Sequence, residues 1–188
     1  MVGAGAGDGV RQNPTILEIN TWTWLNGLAA RLGYPVTLST VPADVWDELG
    51  ARGFDAVWLM GVWQRSPAGI AIGLDEEPLV DSFRDALDDF TVDDVVGSPY
   101  CVEYYMVDKH LGGPAALEVA RAELAARGMK LILDWVPNHV ATDHQWARTD
   151  PERFILGTGE DIEAAPYDFV DVDGRIIANG RDPFFPPW

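Results

Sequence analysis

Three short apolar runs, each about one strand long and set apart by helical or irregular stretches, constrain this chain more than any other feature. They are Thr15–Ile19 (TILEI), Phe54–Met60 (FDAVWLM) and Lys130–Val136 (KLILDWV). Near-continuous runs rich in Ile, Leu, Val and Trp suit parallel strands covered on both faces, whereas a half-solvated sheet alternates apolar and polar residues. The segments between them punctuate as helices. Pro42–Arg52 begins on a first-turn proline and stops at Gly53. Pro114–Arg127 (PAALEVARAELAAR) follows a Gly-Gly pair, carries Leu117, Ala120 and Leu124 on one stripe and ends before Gly128. Trp24–Leu32, stopped by Gly33, supplies a first helix. Strand, helix and strand in this rhythm predict an α/β fold built on a parallel sheet.

Two stretches break the rhythm. Pro67–Gly113 reads as a long excursion, helical only around Asp81–Asp89, and Thr142–Trp188 carries no further βα unit. Unstructured connections of that length are uncommon in an α/β domain unless they serve function.

Composition narrows the partners. Thirteen Lys and Arg against 30 Asp and Glu give a net charge of −17, which repels phosphate backbones and anionic lipid and argues against nucleic-acid and membrane roles. No apolar run reaches the roughly 18 residues of a membrane helix. Cys101 is the single cysteine, so a disulfide scaffold is excluded. The opening MVGAGAGDGVRQNP lacks the basic start and apolar middle of a secretory leader. It reads as a disordered lead-in over residues 1–13, and a cytoplasmic protein is the expectation.

In βα architectures ligands meet the chain where strands end and loops begin. Those positions hold Asn20 and Trp22 after the first run, then Trp63, Gln64 and Arg65 after the second. The third run offers Asp134, followed by Asn138 and His139. Indole faces, amides, a carboxylate, an imidazole and a guanidinium suit a sugar, with its apolar C–H faces and rim of hydroxyls. Core packing is the competing role for the tryptophans, and the favoured one for Trp58 in mid-strand.

These residues carry a resemblance. Asp134-Trp-Val-Pro-Asn138-His139 resembles the D-x-x-x-N-H segment that follows barrel strand three in the α-amylase family (glycoside hydrolase family 13). Gly97-Ser-Pro-Tyr100-Cys-Val-Glu-Tyr-Tyr105-Met-Val-Asp108-Lys-His-Leu-Gly112-Gly113 is similar to the family's G-S-P-Y-x-x-x-D-Y-x-V-D-x-x-L-G-G stretch. Ile16–Trp24 and Ala56–Ser66 resemble its first two barrel strands and their loops. The resemblance covers roughly residues 14–188 and implies the N-terminal part of a (β/α)8 TIM barrel acting on an α-glucan or α-glucoside.

It also implies roles. Tyr100 matches the tyrosine that stacks on the sugar at the cleavage subsite, and His139 the imidazole that hydrogen-bonds the same sugar. Trp63 joins them as a substrate-binding aromatic on the strength of its position after the second run. Asp134 matches an orienting carboxylate, and Asn138 a ligand in those members that bind calcium. Tyr104 departs from the pattern, standing where the family has Asp.

Retaining glycosidases need two carboxyl groups about 5–5.5 Å apart. In this family the nucleophile lies in a G-x-R-x-D segment after strand four, and the acid is a Glu after strand five. A further Asp lies in an H-D pair. Asp173-Gly174-Arg175-Ile176-Ile177 has no Asp two residues past its arginine, and Gly180-Arg181-Asp182 has the letters at the wrong spacing. The three histidines, His110, His139 and His144, are followed by Leu, Val and Gln.

The expectation is therefore an incomplete barrel of about three βα units with no nucleophile and no acid of its own. It would be inactive alone, poorly soluble, and partnered by the missing C-terminal part of the barrel. Two other readings compete. One is a non-catalytic carbohydrate-binding or partner-complemented protein using Trp22, Trp63 and Tyr100. The other is a metal-dependent hydrolase with Asp134, His139 and His144 as ligands.

Overall fold

The computed structural model describes residues 11–180. Its strands are β1 (Ile16–Asn20), β2 (Ala56–Met60), β3 (Trp63–Arg65), β4 (Val102–Val107), β5 (Lys130–Ile132), β6 (Phe169–Val172) and β7 (Arg175–Ala178). The helices are α1 (Thr21–Leu32), α2 (Ala43–Ala51), α3 (Pro67–Asp75), α4 (Glu77–Ala86), α5 (Gly113–Ala126), α6 (Trp146–Thr149) and α7 (Gly159–Ala164). No described helix is long and apolar enough to cross a membrane. The chain falls into two compact units: one runs to Val62 and includes Met106–Trp135, the other joins Trp63–Tyr105 to the residues from Val136 onward.

The first unit holds the expected α/β core. A parallel sheet runs β1-β2-β5, with Trp58 opposite both Glu18 and Ile132. In central β2 one face is fully buried at Val57 and Leu59, while on the other Ala56 is buried and Trp58 and Met60 are half-buried. β1 is not: Ile16, Glu18 and Asn20 are exposed while Leu17 and Ile19 are half-buried, because β2 is its only partner among the described residues. Helix α1 starts earlier than its apolar residues suggest, since the Asn20 side chain accepts from the Thr23 N–H as N-cap. Asn20 is thus occupied in capping rather than directed at a ligand.

Helix α5 buries Ala116, Ala120 and Leu124, with Leu117 only half-buried, so the stripe is rotated from the expected one. Small residues on that face let α5 lie close to its neighbours. A Cβ at Gly112, whose φ is +100°, would stand 2.5 Å from Ala116 Cβ and 3.1 Å from Thr37 Cβ. Arg127 ties α5 to α2, pairing with Asp47 and with Glu123, both at 2.6 Å. Of the lead-in expected over residues 1–13, residues 1–10 lie outside the described residues. Arg11 is fixed, its guanidinium paired with Asp55.

The second unit contains most of what was expected to be loop. Ser66 caps α3 by accepting from Gly69 N–H, and Pro67 opens that helix. Helix α4 begins four residues before the expected Asp81 and ends at Ala86, and β4 pairs with β3. β6 and β7 form an antiparallel hairpin in which Val172 faces Arg175. Its two-residue loop, Asp173-Gly174, has φ +53° and +82°, the positive pair a type I′ turn demands. Ala147, Val172 and Ile177 form a small buried cluster beside it, joined by Phe154 and Val170.

Candidate functional site

Asp134 lies in the first unit, just past β5. It is 7% exposed, and its carboxylate accepts from the Gly61 backbone N–H at 2.6 Å and from Trp58 Nε1–H at 2.9 Å. It therefore fixes the end of β2. Trp58 is half-buried, and its packing role is joined by this hydrogen bond. Trp22 lies against the His110 ring, centroids 5.5 Å apart, while Asp108 accepts from the backbone and ring nitrogens of His110.

The second unit brings Tyr100 and His139 together. His139 Nε2 lies 3.0 Å from the Tyr100 carbonyl oxygen and donates to it. Tyr100 is 40% exposed, and His139 is exposed as well. The loop carrying Tyr100 is braced from beneath. Buried Arg65 donates to the Gly97 carbonyl at 2.8 Å, so it holds this loop rather than facing a ligand. Gly97 has φ +80°, and a Cβ there would meet Ile70 at 2.9 Å.

Trp63 stands edge-on to Tyr105, centroids 5.5 Å apart. The Tyr105 hydroxyl donates to the Val136 carbonyl at 3.0 Å and accepts from the Val136 N–H at 2.8 Å. Tyr105 sits inside the resemblance, but nothing in its neighbours announces a bond to a residue 31 positions away. The Ser66–Asp143 pair, 2.7 Å apart, had no motif to mark it.

Tyr104, the departure from the family pattern, lies 6.2 Å from the His144 ring. His144 is 4% exposed, meets Trp146 edge-on at 4.9 Å, and accepts from the Trp146 N–H through Nδ1. Its ring is thereby packed, with Nδ1 engaged. Among the described residues no group of three His, Cys, Asp or Glu comes together to hold a metal. Asn138 is exposed.

Burial depresses the His144 pKa, with nearby Asp143 opposing the shift. The unfolded chain takes up this proton near the ordinary value of about 6.5, whereas the folded chain resists it to lower pH. Its contribution to stability is full above that value and is lost as pH falls toward the depressed folded pKa, by at most about 1.4 kcal/mol per pH unit. Urea unfolding at pH 7.5 and 5.5 should show His144→Gln losing less stability on acidification than the parent; equal losses would remove His144 as the cause. The Cys101 thiol is pushed up by burial and by the charge of Asp143, which keeps it protonated and a poor nucleophile.

The family model described as alpha amylase, catalytic domain, matches residues 47–180. A salivary alpha-glucosidase of Anopheles gambiae is 31% identical over 122 residues, 65% of this chain and 18% of its own length. The crystal structure of an alpha-amylase from Lactobacillus plantarum superposes with a TM-score of 0.56 at 18% identity, covering 88% of this chain and 31% of that one. A trehalulose synthase mutant in complex with Tris gives a TM-score of 0.57 at 18% identity, covering 93% and 29%. The chain thus spans less than a third of the length of each of these relatives.

Proposed function

The chain belongs to the α-amylase family of glycoside hydrolases, and from that premise we propose that residues 14–188 form the first three βα units of a (β/α)8 barrel acting on α-glucosidic bonds. In this reading they supply one side of the sugar subsite: Tyr100 stacks on the ring, His139 hydrogen-bonds its hydroxyls and Trp63 stands as a wall. Asp134 works at a distance, holding the end of β2. The observation that carries the reading is the His139 Nε2–H bond to the Tyr100 backbone carbonyl, which ties together two residues that are both exposed. A stacked ring beside a planar hydrogen-bonding group suits a hexose, and an imidazole directed at its hydroxyls stabilises charge that develops in the transition state.

These 188 residues hold no G-x-R-x-D segment and no H-D pair. The proposal therefore assigns them binding and orientation, with the attacking and proton-donating carboxylates supplied by polypeptide outside them. The partner of such a chain is the remaining part of the barrel, and its substrate an α-glucan or α-glucoside.

Two measurements test this. The 188-residue chain should release no product from maltooligosaccharides or an aryl α-glucoside above a His139→Ala control; turnover above that control would overturn the assignment. By calorimetry, Tyr100→Ala should weaken maltoheptaose binding about tenfold, the size expected for a lost aromatic stacking contact of about 1–1.5 kcal/mol. Unchanged affinity in Tyr100→Ala would remove Tyr100 from the subsite.

A further inference from the structure

Between His139 and Asp143 every second residue is bonded to one of two neighbouring segments, Tyr100–Val102 or Ser66–Ala68. His139 Nε2 donates to the Tyr100 carbonyl at 3.0 Å, and Ala141 N–H donates to the Val102 carbonyl at 3.3 Å. The Asp143 carboxylate then accepts twice, from Ser66 Oγ–H at 2.7 Å and from the Ala68 N–H at 3.0 Å. Ser66 closes the loop, because its N–H donates to the Cys101 carbonyl at 3.0 Å and its Oγ caps α3 through Gly69 N–H. Ser66 is 1% exposed, so this end of the circuit is sheltered from competing water.

We propose that Asp143 is a positioning residue for the Tyr100–His139 pair. It clamps the far end of the His139 segment to Ser66 and the start of α3, so that the imidazole is held in register with the Tyr100 carbonyl. The other two links are a histidine that is itself exposed and a single long backbone bond. Asp143 supplies the shortest link, to Ser66 at 2.7 Å, and a second to Ala68, and each uses a different oxygen of its carboxylate. An asparagine retains one acceptor and turns a donor toward the other partner. The functional consequence rests on the reading of Tyr100 and His139 as sugar-binding residues; the clamp itself does not.

The experiment uses Asp143→Asn and Ser66→Ala in the full chain, the second variant keeping the negative charge and remaining informative if the first fails to fold. The expected result by nuclear magnetic resonance is a shift of the His139 ring signals with faster amide exchange at Ala141 in both variants. By calorimetry, maltoheptaose binding should weaken about tenfold, and Asp143→Asn should add nothing when His139 is already alanine. A change confined to the Ala68 amide, with the His139 signals unmoved, would overturn the clamp and leave Asp143 as a helix cap alone. If the parent chain does not bind maltoheptaose, the sugar-binding reading fails, while the ring signals and Ala141 exchange still decide the clamp.

Discussion

Asp134→Ala is expected to destabilise the chain by about 3 kcal/mol, because two donors lose one acceptor at a single stroke. The Gly61 N–H is buried and Trp58 Nε1–H is half-buried. A buried donor left without a partner costs about 1–3 kcal/mol, and bonds to a charged acceptor stand at the upper end of the range. Asp134→Asn keeps one acceptor and should lose less. Urea unfolding followed by tryptophan fluorescence measures both. A loss below about 0.5 kcal/mol in Asp134→Ala, the size typical of an unremarkable surface change, would mean that water replaces the carboxylate and that the end of β2 is held by other contacts.

Trp46→Ala should cost more, about 4 kcal/mol, in the range of large aromatic deletions from a packed interior. Trp46 is 1% exposed and meets the Trp24 ring edge-on, 5.4 Å between centroids at 65°. Its removal opens a hole beneath α2 and takes away an aromatic contact in the same step. Trp135, 79% exposed, is the matched control, and Trp135→Ala should shift stability by less than about 0.5 kcal/mol. Near-UV circular dichroism separates the two, since the Trp24–Trp46 pair is rigid and chirally packed. Equal denaturation midpoints for both variants would place the core elsewhere.

What could be read from the residues follows from how locally each feature is encoded. Helices α2 and α5 announce themselves through prolines at their starts and glycines at their ends, and β2 through an unbroken apolar run. Helix α3 (PAGIAIGLD) conceals itself, because two glycines and a uniformly apolar composition blur the helical period. β4 (VEYYMV) has strong β propensity but sits inside a segment with no second run beside it in sequence; its partner β3 lies far upstream. The Asp173-Gly174 turn carries a local hairpin signal, a D-G pair between apolar runs, which the expectation for Thr142–Trp188 overlooks.

The site divides in the same way. Tyr100, His139 and Asp134 stood out because each lies in a dense local motif. Their supports did not. Trp58 and Asp134 are 76 residues apart and Ser66 and Asp143 are 77 apart, and no periodicity links positions so distant. Asp143 is one acid among many in an acidic chain, and only the fold distinguishes it from the solvated ones.

Cys101 gives the same region a built-in clock. Its sulfur follows Tyr100 directly in the chain and lies where a Cβ on Gly69 would strike it, at 2.7 Å. Because the thiol is half-buried and its pKa is raised by burial, a thiol-specific reagent should react faster when this loop lifts away from α3. With one cysteine in the chain, the labelling rate is a single-site record of that opening, in the manner of hydrogen exchange at a protected amide. The breathing of the Tyr100 loop can thus be timed in the unmodified sequence, with no probe engineered into it.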